Sequence, residues 1–267
     1  MTERTGTGGG GPSPRRRGRP RSRAHRSIGG YLAIPAVCGA ILLAAWLAVA
    51  SRASFSTAER QQLPLPTILV RTWEHIELTV VSTVIVLLIA VPLGILLTRP
   101  LFRPVTRPTV AVFSVGQAIP SIGLIALLAV AWTQGYGFWA VIIALVIYTV
   151  IPVLANTMVG LEQVDESVIE SARGMGITKW GVLWQVEMPL AVPVIMAGLR
   201  TALTLNVGTA TLATFVGGGG LGGGIVAGIG RDLPLVTLVY AACVAVLALL
   251  IDYLAGIAED VLRPRGL

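Results

Sequence analysis

Charged residues are scarce in this sequence, and so are histidine, cysteine and aromatic residues. Asp, Glu, Lys and Arg make up 12% of the 267 residues, against about a quarter in soluble domains, whereas 54% are hydrophobic. This composition excludes an ordinary soluble domain and indicates an integral membrane protein. The net charge of +7 does not indicate nucleic-acid binding, because the arginines concentrate near the start of the chain and beside apolar runs.

The few residues that could carry chemistry are poorly placed for it. Cys38 and Cys243 lie in separate apolar runs with no neighbouring ligand at metal-binding spacing, so we expect no metal site. His25 belongs to a basic tail, and His75, beside Trp73, is expected to be solvated or interfacial. A glycine-rich motif followed by Lys and Ser/Thr is absent from the sequence, which excludes the usual ATP cradle. We therefore expect no enzyme activity, no catalytic residues and no bound cofactor.

The chain begins with a basic segment followed by an apolar run. Residues 1–30 are rich in Gly, Pro, Ser and Arg, and predict a disordered cytoplasmic tail. The run 31–51 is long enough to cross a bilayer. It could instead be a signal peptide, since Ala48-Val49-Ala50 resembles a cleavage site, but its length favours a retained membrane anchor.

Further apolar runs predict an all-α integral membrane protein with six transmembrane helices in residues 31–262, followed by a short cytoplasmic tail, 263–267. The predicted spans are about 31–51, 77–97, 109–132, 138–160, 190–215 and 233–256. With both termini in the cytoplasm, most Lys and Arg residues fall on the inner side, as the positive-inside rule requires.

Prolines and glycines mark the expected irregularities. Pro64 and Pro66 are expected to prevent a long helix before the second span, and Pro120 to kink the third. Residues 133–137 predict a short external turn. The glycine-rich stretch 216–230 leaves two interpretations open, a re-entrant or gating segment and a flexible loop.

The main polar interruption, residues 165–189, lies between the fourth and fifth spans. Its apolar residues recur at helical spacing and predict a cytoplasmic amphipathic helix with one apolar face. That face comprises Leu161, Val164, Val168, Ala172 and Met175. Asp165 is a candidate N-cap, and Gly174 and Gly176 are the candidate stops. Thr178 is expected to cap a second short helix that Pro189 closes.

The same segment resembles the EAA loop of ABC importer permeases, with the order Glu-Ala-Ala, three residues, Gly, nine residues, Ile, any residue, Leu-Pro. Ser171, Val186 and Met188 are conservative departures from that pattern. In that family the loop forms a coupling helix that docks into a cytoplasmic ATPase subunit. The resemblance assigns this role to Glu170, Ser171, Ala172, Gly174, Gly176, Val186, Met188 and Pro189. Alternatively, Ser167 and Glu170 fit a capping box in which the glutamate has only a structural role.

Three further stretches resemble the permeases of osmoprotectant importers over residues 70–262. They are Gln117-Ala-Ile-Pro-Ser, Asn206-Val-Gly-Thr-Ala-Thr-Leu-Ala and Gly220-Leu-Gly. This resemblance implies ATP-driven uptake of glycine betaine, choline, carnitine or related quaternary ammonium solutes. It also implies a cell-membrane assembly with an ATP-binding cassette subunit that uses the ATP, a second permease that is identical or a sister, and an extracytoplasmic substrate-binding protein.

Polar groups within the spans are candidates for the translocation path, although each could instead bond a neighbouring helix. They are Gln117, Asn156, Asn206 and Thr209, together with Pro120 at the expected kink. No aromatic cage is recognisable in the spans, which favours substrate selection by the binding protein. Alternatives are an ABC permease for an amino acid or sulfonate, and an ion-coupled secondary transporter. The latter needs ionisable residues at mid-membrane, where the sequence offers only Asp252, near the inner end.

Overall fold

The computed structural model describes residues 28–131 and 137–262, and the regular secondary structure of these residues is helical. In chain order the helices are α1 (Ile28–Ala50), α2 (Thr57–Gln62), α3 (Leu65–Leu97), α4 (Arg103–Ala118), α5 (Ser121–Ala131), α6 (Gly137–Glu162), α7 (Glu166–Gly174), α8 (Lys179–Val182), α9 (Met188–Ala210), α10 (Gly222–Gly230) and α11 (Pro234–Leu262). A π-helical turn, Leu183–Glu187, joins α8 to α9, and short 3-10 turns follow α3 and α9.

Several of these helices can cross a bilayer. Five helical segments within the described residues are long and apolar enough, and α4 with α5 forms a bent pair that raises the number to six if the pair is one span. One of the five, Lys179–Val216, combines α8, the π turn, α9 and the following 3-10 turn. The predicted all-α membrane fold is therefore confirmed.

The centre of the bundle is α6, which packs against both α3 and α9. Three apolar layers follow one another along it. The first contains Leu78 and Leu145, the second Val86 and Val153, and the third Leu161 with Ile195. Because lipid is as apolar as these side chains, close packing holds spanning helices together more than exclusion from water does.

Glycines allow α6 to approach its neighbours closely. A Cβ on Gly198 of α9 would lie 2.6 Å from the Pro152 carbonyl oxygen and 2.7 Å from the Asn156 Cβ of α6. A Cβ on Gly160 of α6 would lie 3.0 Å from the carbonyl oxygen of Ala191. The two helices therefore touch backbone to backbone on both sides of the contact.

Polar groups tie α9 to α3. The Asn206 side chain donates from Nδ2 to Thr83 Oγ1 at 3.0 Å, and His75 Nε2 lies 2.9 Å from the Val207 carbonyl oxygen. His75 is fully buried among the helices, so the expectation of a solvated side chain is wrong. The cause is the early start of α3, which carries His75 into the bundle instead of leaving it in a surface segment.

That early start corrects the expected boundary before the second span. The predicted span began at residue 77, but α3 begins at Leu65. Pro64 lies just before the helix and Pro66 in its first turn, where the backbone N–H has no partner within the helix. The two prolines therefore begin the helix instead of preventing it.

The third predicted span, 109–132, is not one kinked helix. The pair formed by α4 and α5 bends by 93° at a break that contains Pro120. Ile119 adopts an extended backbone with ψ 132°, as expected for a residue that precedes proline. Pro120 thus ends one helix and redirects the chain into another.

Pro189 also differs from the expectation that it closes a helix. It lies in the first turn of α9, inside the continuous segment Lys179–Val216. The preceding π turn shifts the hydrogen bonding by one residue, and the Met188 N–H bonds the Leu183 carbonyl. We attribute the continuity of the helix to this wider turn, because a regular α-helix would bring the proline ring against a carbonyl.

Some expectations fall outside the described residues. They concern residues 1–27 of the basic tail, residues 133–136 of the external turn and the segment 263–267. The glycine-rich stretch is described, and it is not a flexible loop. Part of it forms α10, which packs against α11, with Gly224 against the Tyr240 ring.

The close contact between α6 and α9 predicts the effect of a larger residue at Gly198. Gly198→Val is expected to destabilise the fold by about 1 to 3 kcal/mol through overpacking against α6. Thermal unfolding of the purified protein in detergent measures this effect. Gly208→Val is the matched control, because nothing lies within 4 Å of a Cβ at that position of α9. Equal stability of the Gly198 and Gly208 variants would contradict the proposed packing.

Candidate functional site

The segment between α6 and α9 begins with a capped helix. Asp165 precedes α7 with an extended backbone, and its side chain accepts a hydrogen bond from the Ser167 N–H at 2.9 Å. Hydrogen bonding from Ser167 lowers the pKa of Asp165 below its ordinary value. The carboxylate form of the cap is therefore present near neutral pH, and its contribution is lost as the pH falls through that lowered pKa. The predicted N-cap is confirmed.

The same geometry decides the alternative interpretation of Glu170. Ser167 lies inside α7 instead of at its N-cap, and its carbonyl accepts a hydrogen bond from Ser171 Oγ at 2.7 Å. The capping box that would occupy Glu170 is therefore not formed. Glu170 is exposed on α7.

The end of α7 turns the chain sharply. Gly174 is its last residue, and Gly176 has a φ of +85°, a conformation that favours glycine. The Ile177 N–H bonds the Ala172 carbonyl across this turn at 3.3 Å. Thr178 then caps α8 by accepting a hydrogen bond from the Gly181 N–H. Two short helices separated by a glycine turn thus form an elbow, residues 165–182, as the sequence predicts.

The apolar face expected along this segment is only partly buried. Leu161 and Ala172 are buried, but Val168 and Met175 are exposed. The reason is that α6 ends at Glu162 and the chain turns before α7 begins, so the five residues do not share one helix axis. Trp180 of α8 is exposed as well. The elbow therefore presents apolar side chains beside Glu170.

The residues of the predicted coupling motif fall into two groups. Glu170, Ser171, Gly174 and Gly176 are exposed on α7 and its turn, whereas Ala172 is buried. The second group, Val186, Met188 and Pro189, is half-buried at the π turn and the start of α9. Since α7 contacts both α8 and the π turn, the fold brings the two groups into one packed unit.

An ion pair fastens this unit to α3. Arg99, just after α3, donates to both carboxylate oxygens of Glu187, at 2.6 and 3.3 Å. Glu187 is only 4% exposed. This pair was not predicted from the sequence, because Glu187 occupies the unspecified position of the motif. A glutamate immediately before an apolar span is the signal that could have revealed the need for a countercharge.

A cleft of about 770 Å³ opens beside the ion pair. Its lining includes Arg103 and Arg107 of α4 together with Glu166, Glu170 and Arg173 of α7. Positive and negative side chains therefore face a common space next to the elbow.

A second ionic cluster joins α9 to α11. Arg200 contacts Asp252 through Nε and Nη2, both at 2.9 Å, and Glu259 through Nη1 at 3.4 Å. All three side chains are partly exposed beside a shallow groove of about 490 Å³. The sequence analysis noted Asp252 without identifying its partner.

The candidate path residues do not form one cluster. Gln117 of α4 donates to the Tyr148 carbonyl of α6 at 2.7 Å, and Asn156 donates to the Pro152 carbonyl of its own helix at 2.8 Å. Asn206 and Thr209 are buried, and Pro120 is exposed. For Gln117 and Asn206, bonding to neighbouring helices accounts for the polar side chain without a translocation path.

The glycine-rich stretch is held by an acidic residue of α3. Gly219 and Gly220 have φ values of +79° and +87°, and the Gly220 N–H donates to Glu74 Oε2 at 2.8 Å. The positive φ values explain why glycine occupies both positions, and at Gly219 a Cβ would also meet the Glu74 carboxylate. The described residues contain no group of three or more His, Cys, Asp or Glu side chains that could hold a metal ion.

Comparison with known proteins adds three named relatives. The chain is 37% identical over 200 residues to the glycine betaine/carnitine/choline transport system permease protein OpuCB of Bacillus subtilis (strain 168), which covers 75% of this chain and 90% of the relative. It is 38% identical, with the same coverage, to the carnitine transport permease protein OpuCB of Listeria monocytogenes. The identity to the osmoprotectant import permease protein OsmY of Salmonella typhimurium is 39%, over 67% of this chain and 75% of the relative.

A solved structure and a family model agree with this similarity. The inward-facing MetNI methionine ABC transporter has a chain with a TM-score of 0.66 and 23% identity, which covers 76% of this chain and all of that one. At that identity the likeness shows the fold alone. The model of the family "binding-protein-dependent transport system inner membrane component" matches residues 90–265. This chain therefore belongs to that family, as a multi-pass permease of the ABC importer type, in which the ATPase is a separate subunit.

Proposed function

We propose that this chain is the permease subunit of an ATP-driven importer for quaternary ammonium osmoprotectants of the glycine betaine, choline and carnitine type. Of the relatives named above, one is a permease for glycine betaine, carnitine and choline, one for carnitine and one for an osmoprotectant, and each aligns with two thirds or more of this chain. This common solute class is the single observation on which the choice of substrate depends.

We propose further that the elbow, residues 165–182, couples the permease to the ATPase subunit. A docking element has to be exposed, and Glu170, Met175 and Trp180 provide one acidic and two apolar exposed side chains. It also has to be rigid in order to transmit force, and hydrogen bonds at Asp165 and Thr178 cap both short helices. The elbow therefore fits a groove on a folded partner.

The orientation follows from this role. An elbow that meets a cytoplasmic ATPase lies on the inner side, together with the start of α9 and the end of α11. Both termini are then cytoplasmic, as the distribution of basic residues also indicates. The packing of α1 against α11 supports a retained first span over a cleaved signal peptide.

The complete importer would contain two permeases, two ATPase subunits and an external substrate-binding protein. A cation such as choline is usually recognised by an aromatic cage. The one close aromatic ring pair among the described residues is Phe138 with Trp139, in an edge-to-face contact at the start of α6. We therefore assign substrate selection to the binding protein and passage to the permease.

An importer of an amino acid or sulfonate is the main alternative, and the methionine transporter has the same fold. An ion-coupled secondary transporter is less well supported. Such a transporter needs an ionisable side chain free to change its partner, but Asp252 is held by two hydrogen bonds from Arg200.

The coupling role predicts the effect of reversing the charge on Glu170. Glu170→Lys is expected to lower substrate-stimulated ATP hydrolysis on the order of tenfold or more. The lysine would place a positive charge in the docking contact, where it would be repelled by a positive charge of the ATPase or be left without a partner. The assay uses the permease reconstituted with its ATPase and binding protein. Membrane insertion should stay normal, because Glu170 is exposed and makes no capping bond.

Glu162→Lys is the matched control for that experiment. Glu162 is an exposed glutamate at the end of α6, close to the elbow but outside the motif. The Glu162→Lys variant should retain substrate-stimulated ATP hydrolysis. Equal losses in both variants would show a general effect of surface charge and would argue against a specific contact at Glu170.

The substrate class predicts a distinct uptake pattern. Proteoliposomes that contain the complete importer should accumulate labelled glycine betaine, choline or carnitine, and only when ATP is available to the ATPase. Methionine should not accumulate under the same conditions. Methionine uptake without osmoprotectant uptake would support the amino-acid alternative, and ATP-independent uptake would support the secondary transporter.

A further inference from the structure

Glu187 is a buried carboxylate with one cationic partner. Glu187 is 4% exposed. Its two carboxylate oxygens accept hydrogen bonds from the two terminal nitrogens of the Arg99 guanidinium, and the shorter contact is 2.6 Å. Two parallel contacts between a guanidinium and a carboxylate fix the orientation of each group as well as the distance between them. Loss of either partner leaves a charge uncompensated, and for the buried Glu187 such a loss is strongly destabilising.

The pair connects two parts of the fold that are distant in sequence. Arg99 follows Thr98, the C-cap residue of α3. Glu187 ends the π turn, which lies between the elbow and the membrane-spanning part of α9. The position of α3 is therefore tied to the base of the helix that emerges from the elbow. A π turn inside a helix is often found at a functional site.

The adjoining cleft leaves room for movement on the other side of this connection. Arg107 of α4 and Glu166 of α7 both line the 770 Å³ space, and the Arg99–Glu187 pair lies at its border. The elbow is thus fixed to α3 at one point, while the exposed part of α7 borders an open space. If α7 moves while the Arg99–Glu187 ion pair stays intact, the movement displaces α3 as well as α9.

We propose that Arg99 is a positioning residue for energy coupling, and that its ion pair with Glu187 transmits displacement of the elbow to α3. This inference depends on the coupling role assigned to the elbow under the proposed function. It adds a third spanning helix, α3, to α6 and α9, which the chain already connects to the elbow. The pair acts through the helices and touches neither solute nor nucleotide.

Charge reversal and charge exchange test the proposal in the complete importer. Arg99→Glu and Glu187→Arg are each expected to lower the number of solute molecules imported per ATP hydrolysed, about fivefold or more. The double variant, Arg99→Glu with Glu187→Arg, restores an ion pair of reversed polarity and should recover most of the ratio. Uptake and hydrolysis are measured on the same proteoliposomes, so that a change in protein amount cancels.

A milder variant keeps the test decisive if the single reversals do not insert. Arg99→Lys retains the charge but replaces the planar fork by a point charge, and it should lower the same ratio by a smaller factor. Asp252→Asn is the matched control, since it weakens another interhelical ion pair that does not involve the elbow. It should leave the uptake-to-hydrolysis ratio unchanged even if the protein becomes less stable.

The outcomes separate this inference from the proposed function. An unchanged ratio in Arg99→Glu or Arg99→Lys, or a double variant no better than the single ones, would overturn the role of the pair. An equal fall in Asp252→Asn would overturn it too, because any interhelical pair would then suffice. Wild-type protein that neither stimulates hydrolysis nor imports solute would refute the proposed function itself.

Discussion

Close backbone contact between α6 and α9 is the constraint on which the rest of the structure depends. Gly160 and Gly198 leave no room for a side chain between the two helices, and the elbow is the segment that joins them. A force applied to the elbow therefore acts on a packed pair of spans, not on two independent ones. Tight helix packing of this kind transmits small displacements because it has little capacity to deform continuously.

Local features of this arrangement were predictable from the sequence, because they depend on neighbouring residues. The caps at Asp165 and Thr178 and the turn at Gly176 follow from side chains and φ preferences within a few positions. Composition was enough to indicate a membrane protein, and the lengths of the apolar runs were enough to predict an all-helical fold. The size of the bend at Pro120 was not predictable, because proline ends a helix but tertiary packing decides the direction in which the next one leaves.

Contacts between distant residues account for what the sequence analysis missed. Nothing near Glu187 in the sequence identifies Arg99 as its partner, since 88 positions separate them. Likewise, Pro189 was expected to close a helix because the preceding π turn has no recognised sequence signal. The polar residues Gln117 and Asn206 were ambiguous for the same reason. Their bonds to Tyr148 and Thr83 exist only once the helices have packed.

Use of polar side chains for helix contacts has a consequence for substrate selection. An amide that donates to a neighbouring helix has less capacity to recognise a passing solute, and Asn206 is fully buried as well. A quaternary ammonium group has no N–H to donate, so hydrogen-bond acceptors along a path would discriminate it poorly. A permease with this arrangement gains little from binding its solute tightly, because tight binding would slow release. Selection by an external protein, combined with the proposed mechanical control through the elbow, is the division of labour that these contacts favour.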